Sequence, residues 1–326
     1  MMKCILGLML LAGAMPLFAQ APAARPATAT QVTSRPTSRP VGVRDFATGV
    51  RIDWTDKSVA VRGRVTQRDV PLEFLACFPG KEHESIVLLD ASATSVYQAL
   101  GLIGLTPGSP PRWDEADRRY TPPEGDLVDG YFELPEPGAN DAGTRRVAAL
   151  SWVREREYRR PARQRPFVFC GSRPGTDGKL SADGSGAGLA LVDFSDSLLA
   201  LRQRFSSENA ELWAEADPER IPPVGTPVSV VLQAARVPRP VVGIDFYGET
   251  TLDGRLEHPA ECIDAIQVWR LSGGKEPVVI RVEAVLESDR RRFARQLLAA
   301  GIRDEWIEWK RTRPPASSPT SQPGGD

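Results

Sequence analysis

Five consecutive polar residues, Lys81-Glu82-His83-Glu84-Ser85, stand in the stretch "CFPGKEHESIVLLDAS". They bring together an amine, two carboxylates, an imidazole and a hydroxyl, and His83 is one of only two histidines in the chain. Side chains of these types can form a nucleophile with its base, a metal site, or a polar network at a strand end. Lys81, His83, Glu84 and Ser85 are therefore our candidate functional motif.

Nucleophilic catalysis fits the spacing of this motif poorly. In an extended chain, Lys81, His83 and Ser85 lie on one side and the two glutamates on the other. The Cβ atoms of His83 and Ser85 would then be roughly 7 Å apart, which is awkward for activation of the hydroxyl. No G-x-S-x-G sequence surrounds Ser85. The sequence therefore assigns no catalytic residue and favours a protein without enzymatic activity.

A metal site centred on His83 is the alternative hypothesis. His83 could bind zinc together with Glu84 or a distant carboxylate, but the H-E-x-x-H pattern is absent and adjacent residues converge poorly on one ion. The second histidine, His258, stands four residues before Cys262 and could share a helix face with it. Its place before Pro259 fits a helix cap equally well. The sequence predicts no cofactor.

The interpretation that we favour for the motif is structural. In this interpretation Glu84 and His83 hydrogen-bond backbone groups where the chain turns at Pro79-Gly80 into the next strand. It predicts that the substitution His83→Ala lowers the thermal midpoint of the metal-free protein by several degrees.

The segment 44–236 has the alternating apolar pattern of short strands. Such strands are predicted at "VRIDW", "SVAVRGRV", "PLEFLACF" and "ESIVLLD", and again at "RVAALSWV", "FVFCGS", "GLALVDF" and "VSVVLQAA". One main helix interrupts them, because Val96, Leu100 and Ile103 recur at helical spacing. The fold class predicted here is α+β, a strand-rich mixed domain with one main helix.

Two polar segments of this domain have turn-forming compositions. Residues 106–144 are rich in Pro, Gly and Asp and are predicted to be mostly irregular. Residues 175–186, "GTDGKLSADGSG", do not fit the calcium-binding loop pattern and are predicted to be a polar hairpin loop.

A break at "RVPRP" precedes a different pattern over residues 240–311. Strands are predicted at "VVGIDFYGE", "EPVVIRVEA" and "DEWIEWK", and helices at "HPAECIDAIQVW" and "ESDRRRFARQLLAAG". This order predicts a small βαβαβ domain.

Both ends of the chain have the composition of segments outside a folded domain. Residues 1–21 combine Lys3, an apolar run and the A-x-A sequence Ala19-Gln20-Ala21, which predicts a signal peptide. The run is shorter than the roughly 20 residues of a spanning helix, so no transmembrane segment is expected after cleavage. Retention as an uncleaved anchor is the alternative. Residues 22–43 and 312–326, rich in Pro, Ser and Thr, are predicted to be disordered. The expected location is the periplasm or the extracellular space.

Charge and cysteine content bound the partners and the redox state. The net charge of −1 argues against a nucleic-acid partner. The run 145–166 holds eight arginines against two glutamates; it is predicted to be a solvated face balanced by the acidic region 114–136, with an anionic envelope surface as a possible partner. Cys77 and Cys170 lie in apolar runs and are predicted to be buried thiols, although a disulfide between them stays open.

Residues 45–236 also resemble a known family. The segments "GKEHESIVLLDA", "ALGLIGLTPG", "FVFCGS", "SADGSGAGLALVDF" and "IPPVGTPVSVVL" resemble, in order and spacing, those of the YdjY domain family of bacterial exported proteins. The resemblance implies an extracytoplasmic domain. The family has no established activity, so the resemblance implies no mechanism.

Residues 240–310 are similar to the periplasmic domain of ExbD-type biopolymer-transport proteins, through "TTLDGRL", "CIDAI" and "PVVIRVEAVLESDRRRFARQLLAAGI". This similarity implies a fold and a protein-binding surface, but not proton-coupled transport, because the only apolar segment is the short uncharged one at the N-terminus. We therefore expect an exported, non-enzymatic binding or assembly module of the envelope, with an envelope protein or an anionic surface as its partner.

Overall fold

The computed structural model describes residues 35–36, 42–135, 143–175, 177–208, 210–283 and 287–311. The predicted signal peptide, the predicted C-terminal tail and most of the predicted linker at 22–43 lie outside these residues. In the part of the chain that is described, no helix is both long and apolar enough to cross a membrane.

The predicted α+β class is confirmed. The strands up to residue 236 are β1 (Arg35–Pro36), β2 (Val43–Ala47), β3 (Val50–Asp53), β4 (Ser58–Val65), β5 (Phe74–Cys77), β6 (Ser85–Leu89), β7 (Pro107–Ser109), β8 (Arg112–Asp114), β9 (Arg119–Thr121), β10 (Glu124–Gly125), β11 (Leu127–Pro135), β12 (Gly143–Ala148), β13 (Val153–Glu155), β14 (Arg160–Pro161), β15 (Phe167–Val168), β16 (Leu189–Ala190), β17 (Leu199–Leu201), β18 (Ala214–Ala216) and β19 (Pro227–Ala234).

The remaining strands are β20 (Val242–Ile244), β21 (Thr250–Leu252), β22 (Arg255–Leu256), β23 (Val278–Val282) and β24 (Ile307–Arg311). The helices are α1 (Ala93–Leu102), α2 (Ser181–Ser185), α3 (Pro259–Leu271) and α4 (Glu287–Ala299), and single 3-10 turns occur at Glu82–Glu84, Ala149–Trp152 and Asp304–Trp306.

Eight strands close into a barrel. The ring runs β4-β6-β5-β16-β17-β15-β11-β19, and β19 closes it because it pairs antiparallel with both β11 and β4. Apolar and polar residues alternate along β4, so that Val59, Val61 and Val65 are buried while Arg62 and Arg64 are exposed. This alternation on a closed ring gives one continuous hydrophobic core, which we call the barrel core.

The predicted main helix is α1. Its N-cap is Ser92, whose Oγ accepts a hydrogen bond from the Ser95 N–H at 3.1 Å. Val96 and Leu100 are fully buried, and the helix packs on β3 and β4. Gly104, with φ of +98°, follows the helix end, as expected for a residue that leaves a helix through a left-handed conformation. The helix prediction is confirmed.

The prediction that residues 106–144 are mostly irregular is wrong. Their described part contains β7 to β11 and the start of β12. The glycines that suggested loops stand where two backbones approach closely: a Cβ on Gly108 would lie 2.1 Å from the Glu124 carbonyl oxygen, and one on Gly125 would lie 2.1 Å from the Phe169 carbonyl oxygen. Glycine therefore permits pairing here instead of preventing it.

The loop predicted at 175–186 is a hairpin loop only in its first half. An isolated bridge between Pro174 and Leu180 closes that half, and Ser181–Ser185 then form α2. The helix is explained by its first turn, because the Asp183 carboxylate accepts a hydrogen bond from the Leu180 N–H at 3.1 Å.

The small domain predicted at 240–311 has the predicted strand–helix order and one additional hairpin. Its sheet has the order β22-β21-β20-β23-β24, in which β20, β23 and β24 are parallel and α3 and α4 are the crossovers. The hairpin β21–β22 turns at Asp253 and Gly254, which both have positive φ. An Asp-Gly pair is a strong signal for such a turn. A second hydrophobic cluster, the C-terminal core, lies in this domain.

The cysteines at 77, 170 and 262 are buried free thiols, so no disulfide joins Cys77 to Cys170. The Cys170 Sγ donates to the Ser197 carbonyl oxygen at 3.2 Å. Burial raises the pKa of Cys77 to about 11 and that of Cys170 to about 12, which keeps both thiols protonated at neutral pH. The prediction of buried thiols is confirmed.

Candidate functional site

The motif at 81–85 is a tight turn and not an extended segment. Glu82–Glu84 form a 3-10 turn after Gly80, whose φ is +112°. Ser85 is fully buried and its Oγ donates to the Lys81 carbonyl oxygen at 2.8 Å, whereas the His83 side chain is 74% exposed. Ser85 and His83, the hypothetical nucleophile and base, thus have different environments: Ser85 lies in the core and His83 in solvent.

The predicted backbone contacts of this motif are made by other members. The Glu82 carboxylate accepts from the Gly80 N–H at 3.0 Å, and Ser85 bonds to the Lys81 carbonyl. Glu84 instead accepts from the Lys81 ammonium at 2.5 Å, and His83 makes no backbone hydrogen bond through its side chain within the described residues. The prediction that His83 and Glu84 bond to the backbone is wrong, because the turn directs His83 outward and Glu84 towards Lys81.

Lys81 is the centre of a compact cluster, which we call the Lys81 cluster (Glu73, Phe74, Lys81, Glu84 and Phe194). The Lys81 Nζ lies 2.5 Å from Glu84 Oε1 and 3.6 Å from Glu73 Oε2. It also lies 5.7 Å and 5.6 Å from the ring centroids of Phe74 and Phe194, which stack on each other. The ammonium is therefore held by two carboxylates and by the faces of two aromatic rings.

Glu73 is the buried acid of this cluster. Its residue is 8% exposed, and loss of hydration on burial, followed by a hydrogen bond and repulsion from Glu84, raises its pKa from 4.5 to about 7. Lys81 lowers the pKa but does not compensate for the burial. Glu73 therefore titrates near neutral pH beside the Lys81 ammonium.

Other segments that the sequence singles out meet at the same place. A Cβ on Gly186 would lie 2.9 Å from Lys81 Cγ and 3.0 Å from the Phe78 carbonyl oxygen, so α2 ends against the motif only because this residue is glycine. The Asp183 carboxylate accepts from the Thr94 hydroxyl at 2.5 Å and thereby joins α2 to the start of α1. The motif, α1 and α2 thus form one structural unit.

Sequence reasoning missed Glu73 and Phe194 as members of the cluster. Glu73 is the single carboxylate within the apolar run "PLEFLACF", and that interruption was the available signal. Phe194 ends "GLALVDF" and carries no local signal, because only the pairing of β16 with β5 brings it to Phe74.

Neither histidine has the surroundings of a metal ligand in the described part of the chain. His83 Nε2 lies 3.6 Å from Glu84 Oε2, and that glutamate is already paired with Lys81. His258 is the N-cap of α3, where its Nδ1 accepts from the Ala260 N–H at 3.3 Å, while Cys262 is buried and donates to the Thr251 carbonyl. Across the described ranges no group of three or more His, Cys, Asp or Glu side chains could hold a metal ion.

A second site, which we call the junction cleft, lies between the barrel domain and the C-terminal domain. It has a volume of about 950 Å³. One wall is formed by the turn between β13 and β14 and by residues in 205–213; the other is formed by the turn between β20 and β21, by β22 and by the start of α3. Six carboxylates and four guanidinium groups line it.

Ion pairs join the two domains beside this cleft. They are Arg160 with Glu257 at 3.0 Å, Arg255 with Glu155 at 2.7 Å, Arg165 with Glu261 at 3.2 Å and Arg202 with Asp264 at 2.8 Å. The four carboxylate side chains are between 5% and 18% exposed, so these pairs are largely withdrawn from water. Burial raises the pKa of Asp264, and Arg202 opposes that shift. Removing one partner of such a pair would leave an uncompensated buried charge.

The prediction that the acidic region 114–136 balances the arginine run 145–166 is wrong for all but one pair. Arg146 contacts Glu133 at 3.2 Å. Arg154 contacts Glu215, and the others with acidic partners contact Glu155, Glu257 and Glu261. These partners lie outside 114–136, and most of them belong to the domain junction. The run is therefore a junction element and not a free basic face.

The closed barrel and its Lys81 cluster lie in one strand-rich domain. The YdjY domain profile matches residues 50–233, more than half of the chain, and the chain belongs to the YdjY domain family. The first of the two resemblances is thus confirmed. The match ends before the C-terminal domain, and the ExbD-type similarity of that domain gains no support. Neither the curated proteins nor the solved structures contain a significant match to the chain.

The first prediction concerns Glu73→Gln. Because the folded-state pKa of Glu73 is raised, the stability that its protonated form contributes is complete below about pH 4.5 and is lost as pH rises through about 7. Glutamine imitates the protonated carboxyl, so the variant should match the wild type near pH 5 and exceed it near pH 8 by roughly 1 to 3 kcal/mol. Denaturant unfolding at both pH values measures the difference. The exposed control Glu115→Gln should show no such pH dependence, and an equal effect of both substitutions would contradict the burial of Glu73.

The second prediction separates the motif's members by stability. Lys81→Met leaves Glu73 and Glu84 without their shared cation, so the free energy of unfolding at pH 7 should fall by roughly 1 to 3 kcal/mol. The thermal midpoint should then fall by roughly 3 to 10 °C. His83→Ala removes an exposed ring and should stay within about 0.5 kcal/mol of the wild type, contrary to the expectation from sequence. Calorimetry of both variants tests this order, and a larger loss for His83→Ala would refute the geometry.

Proposed function

We propose that this chain is an exported envelope protein that binds or assembles with another macromolecule and has no enzymatic activity of its own. The junction cleft carries the proposal. Its volume of about 950 Å³ lies at the upper end of ligand-site volumes, and its two walls come from two different domains. A ligand that contacts both walls would stabilise the docked arrangement, since anything that binds only the native state shifts the folding equilibrium.

The chemistry of the domain junction supports a binding role. The barrel core and the C-terminal core are separate clusters, and charged side chains join the two domains. Polar interfaces between domains are typical of parts that adjust relative to each other when a ligand binds. A protein-binding surface on the C-terminal domain, as the ExbD-type similarity implies, would fit the same function.

Another envelope protein fits the site better than an anionic surface. An anionic surface would need free basic side chains, and five of the eight arginines in 145–166 are already paired with carboxylates. A metal-binding function centred on His83 is the alternative, but its acidic neighbour Glu84 is taken by Lys81. The partner that we propose is therefore a protein.

The third prediction concerns export. The signal at 1–21 should be removed in the cells that make the protein, so that the mature chain begins at Pro22. Fractionation followed by mass spectrometry of the N-terminal peptide measures this. Recovery of the intact N-terminus in the membrane fraction would show an uncleaved anchor, and recovery in the cytoplasm would contradict export.

The fourth prediction tests the cleft in cells. A photo-crosslinking p-benzoylphenylalanine at the exposed Tyr158, which lines the cleft, should give one discrete protein adduct that mass spectrometry identifies. The same photo-crosslinking residue in place of Leu102, which is exposed on α1 and does not line the cleft, should give no adduct. Adding the substitution Leu256→Asp, which places a charge on an apolar part of the cleft lining, should abolish the adduct from position 158. Equal adducts from both positions, or none from position 158, would overturn the proposed function.

A further inference from the structure

The geometry of the junction cleft points to a specific class of ligand: an extended peptide segment of a partner protein that carries a lysine or arginine between apolar residues. This inference rests on the proposed function, and it names the chemistry of the partner at that same site. Three features carry it, namely the unpaired charges on the walls of the cleft, the exposed apolar surface along it, and the exposed aromatic side chains on the turn that adjoins it.

The charges that remain unpaired on the walls are negative. Among the lining guanidiniums, Arg160 and Arg165 are held by acidic partners at the junction and Arg292 by Asp289 at 3.2 Å. Arg156 donates to the Leu212 carbonyl oxygen at 3.0 Å and is held against its own wall.

Three lining carboxylates have no basic partner among the described residues. One of them, Glu157, neighbours the Tyr158 hydroxyl, and two are left. Glu211 stands on the wall of the barrel domain and Glu249 on the wall of the C-terminal domain, and both are exposed. Neither carboxylate has an ion pair or a hydrogen bond among the described residues. Each wall of the cleft therefore carries a free carboxylate, which favours a lysine or arginine side chain over an anionic group.

Apolar surface is exposed along the same cleft. Tyr158 is 61% exposed and Leu256 is 50% exposed, and both line it. The turn whose Gly248 and Glu249 line the opposite wall also carries Phe246 and Tyr247, which are 65% and 83% exposed and meet edge to face. Clusters of exposed aromatic side chains of this kind are typical of protein interaction sites.

The extent of this surface favours a peptide over a small molecule. Leu256 lines the cleft, whereas Phe246 and Tyr247 stand on the adjoining turn outside it, so a ligand that covers all three extends beyond the cleft. An extended segment of about nine residues spans roughly 30 Å and presents alternate side chains to opposite sides. Such a segment can present apolar side chains to Tyr158 and Leu256 and a basic side chain to Glu211 or Glu249.

The test uses the mature full-length protein and two synthetic peptides of about nine residues, each acetylated and amidated. In one peptide lysine alternates with leucine and proline, and in the other glutamate replaces each lysine. Isothermal titration should detect the lysine peptide and not the glutamate peptide at about 50 mM NaCl, and affinity should fall at about 300 mM NaCl. The double variant Glu211→Gln/Glu249→Gln should weaken the lysine peptide roughly three- to thirtyfold, because each removes one charge pair.

The matched control is the double variant Glu115→Gln/Glu219→Gln, which removes the same charge at exposed positions that do not line the cleft. It should leave the affinity unchanged. Equal loss in both double variants, or equal binding of both peptides, would overturn the inference. If neither peptide binds but the adduct from position 158 is still formed, the ligand class is overturned and the proposed function is not. If neither peptide binds and no adduct forms, the proposed function is overturned as well.

Discussion

Closure of the barrel by β19 determines where most of the other parts of the chain lie. Because β19 pairs along its length with both β4 and β11, strands that are distant in sequence become neighbours on one ring. Within that ring β5 and β6 pair in parallel, which places Glu73 beside the turn at 82–84, where the Glu73 N–H donates to the Glu84 carbonyl at 3.2 Å. The polar cluster therefore depends on the ring, although no member of the cluster lies on β19.

The Lys81 cluster shows how the domain accommodates charge over an apolar surface. Phe74 and Phe194 belong to a small cluster with Cys77, apart from the barrel core. Lys81 places its ammonium over the rings of Phe74 and Phe194, where the charge also stays close to two carboxylates. Burial raises the pKa of Glu73 to about 7, so its protonated form is well populated near neutral pH. When Glu73 is protonated, its carboxyl group can donate a hydrogen bond to Glu84. Two ionised carboxylates could not form that bond.

Local patterns in the sequence predicted those elements that local interactions form. The helix α1, the strand β4 and the order of strands and helices at 240–311 follow from periodicity and caps within each segment. Periodicity could not predict the 3-10 turn at the motif, because that turn depends on the positive φ of Gly80 and on a side-chain bond from Glu82. Periodicity also could not predict contacts between residues that are distant in sequence. Arg202 of the barrel domain, for example, contacts Asp264 of the C-terminal domain.

The candidate site was predicted only in part for the same reason. Lys81, Glu84 and Ser85 do form one connected turn, but Lys81 in that turn also contacts Glu73, which stands just before β5 and outside the motif. His83, the most conspicuous residue of the motif in the sequence, is its most exposed member. His83 was singled out because histidine is rare in this chain. The residues that hold the turn together are instead those that are buried or paired with an opposite charge.

The family assignment covers one of the two sites completely and the other only in part. The Lys81 cluster lies wholly within residues 50–233, so it belongs to the part that the YdjY profile matches. The junction cleft needs β22, α3 and the turn at Gly248 from the C-terminal domain, which lies beyond that match. In three of the four ion pairs described above, an arginine of the barrel domain contacts a carboxylate of the C-terminal domain, and in the fourth Arg255 of the C-terminal domain contacts Glu155 of the barrel domain. The binding function that we propose is therefore a property of the whole chain, and the YdjY part by itself supplies one wall of its site.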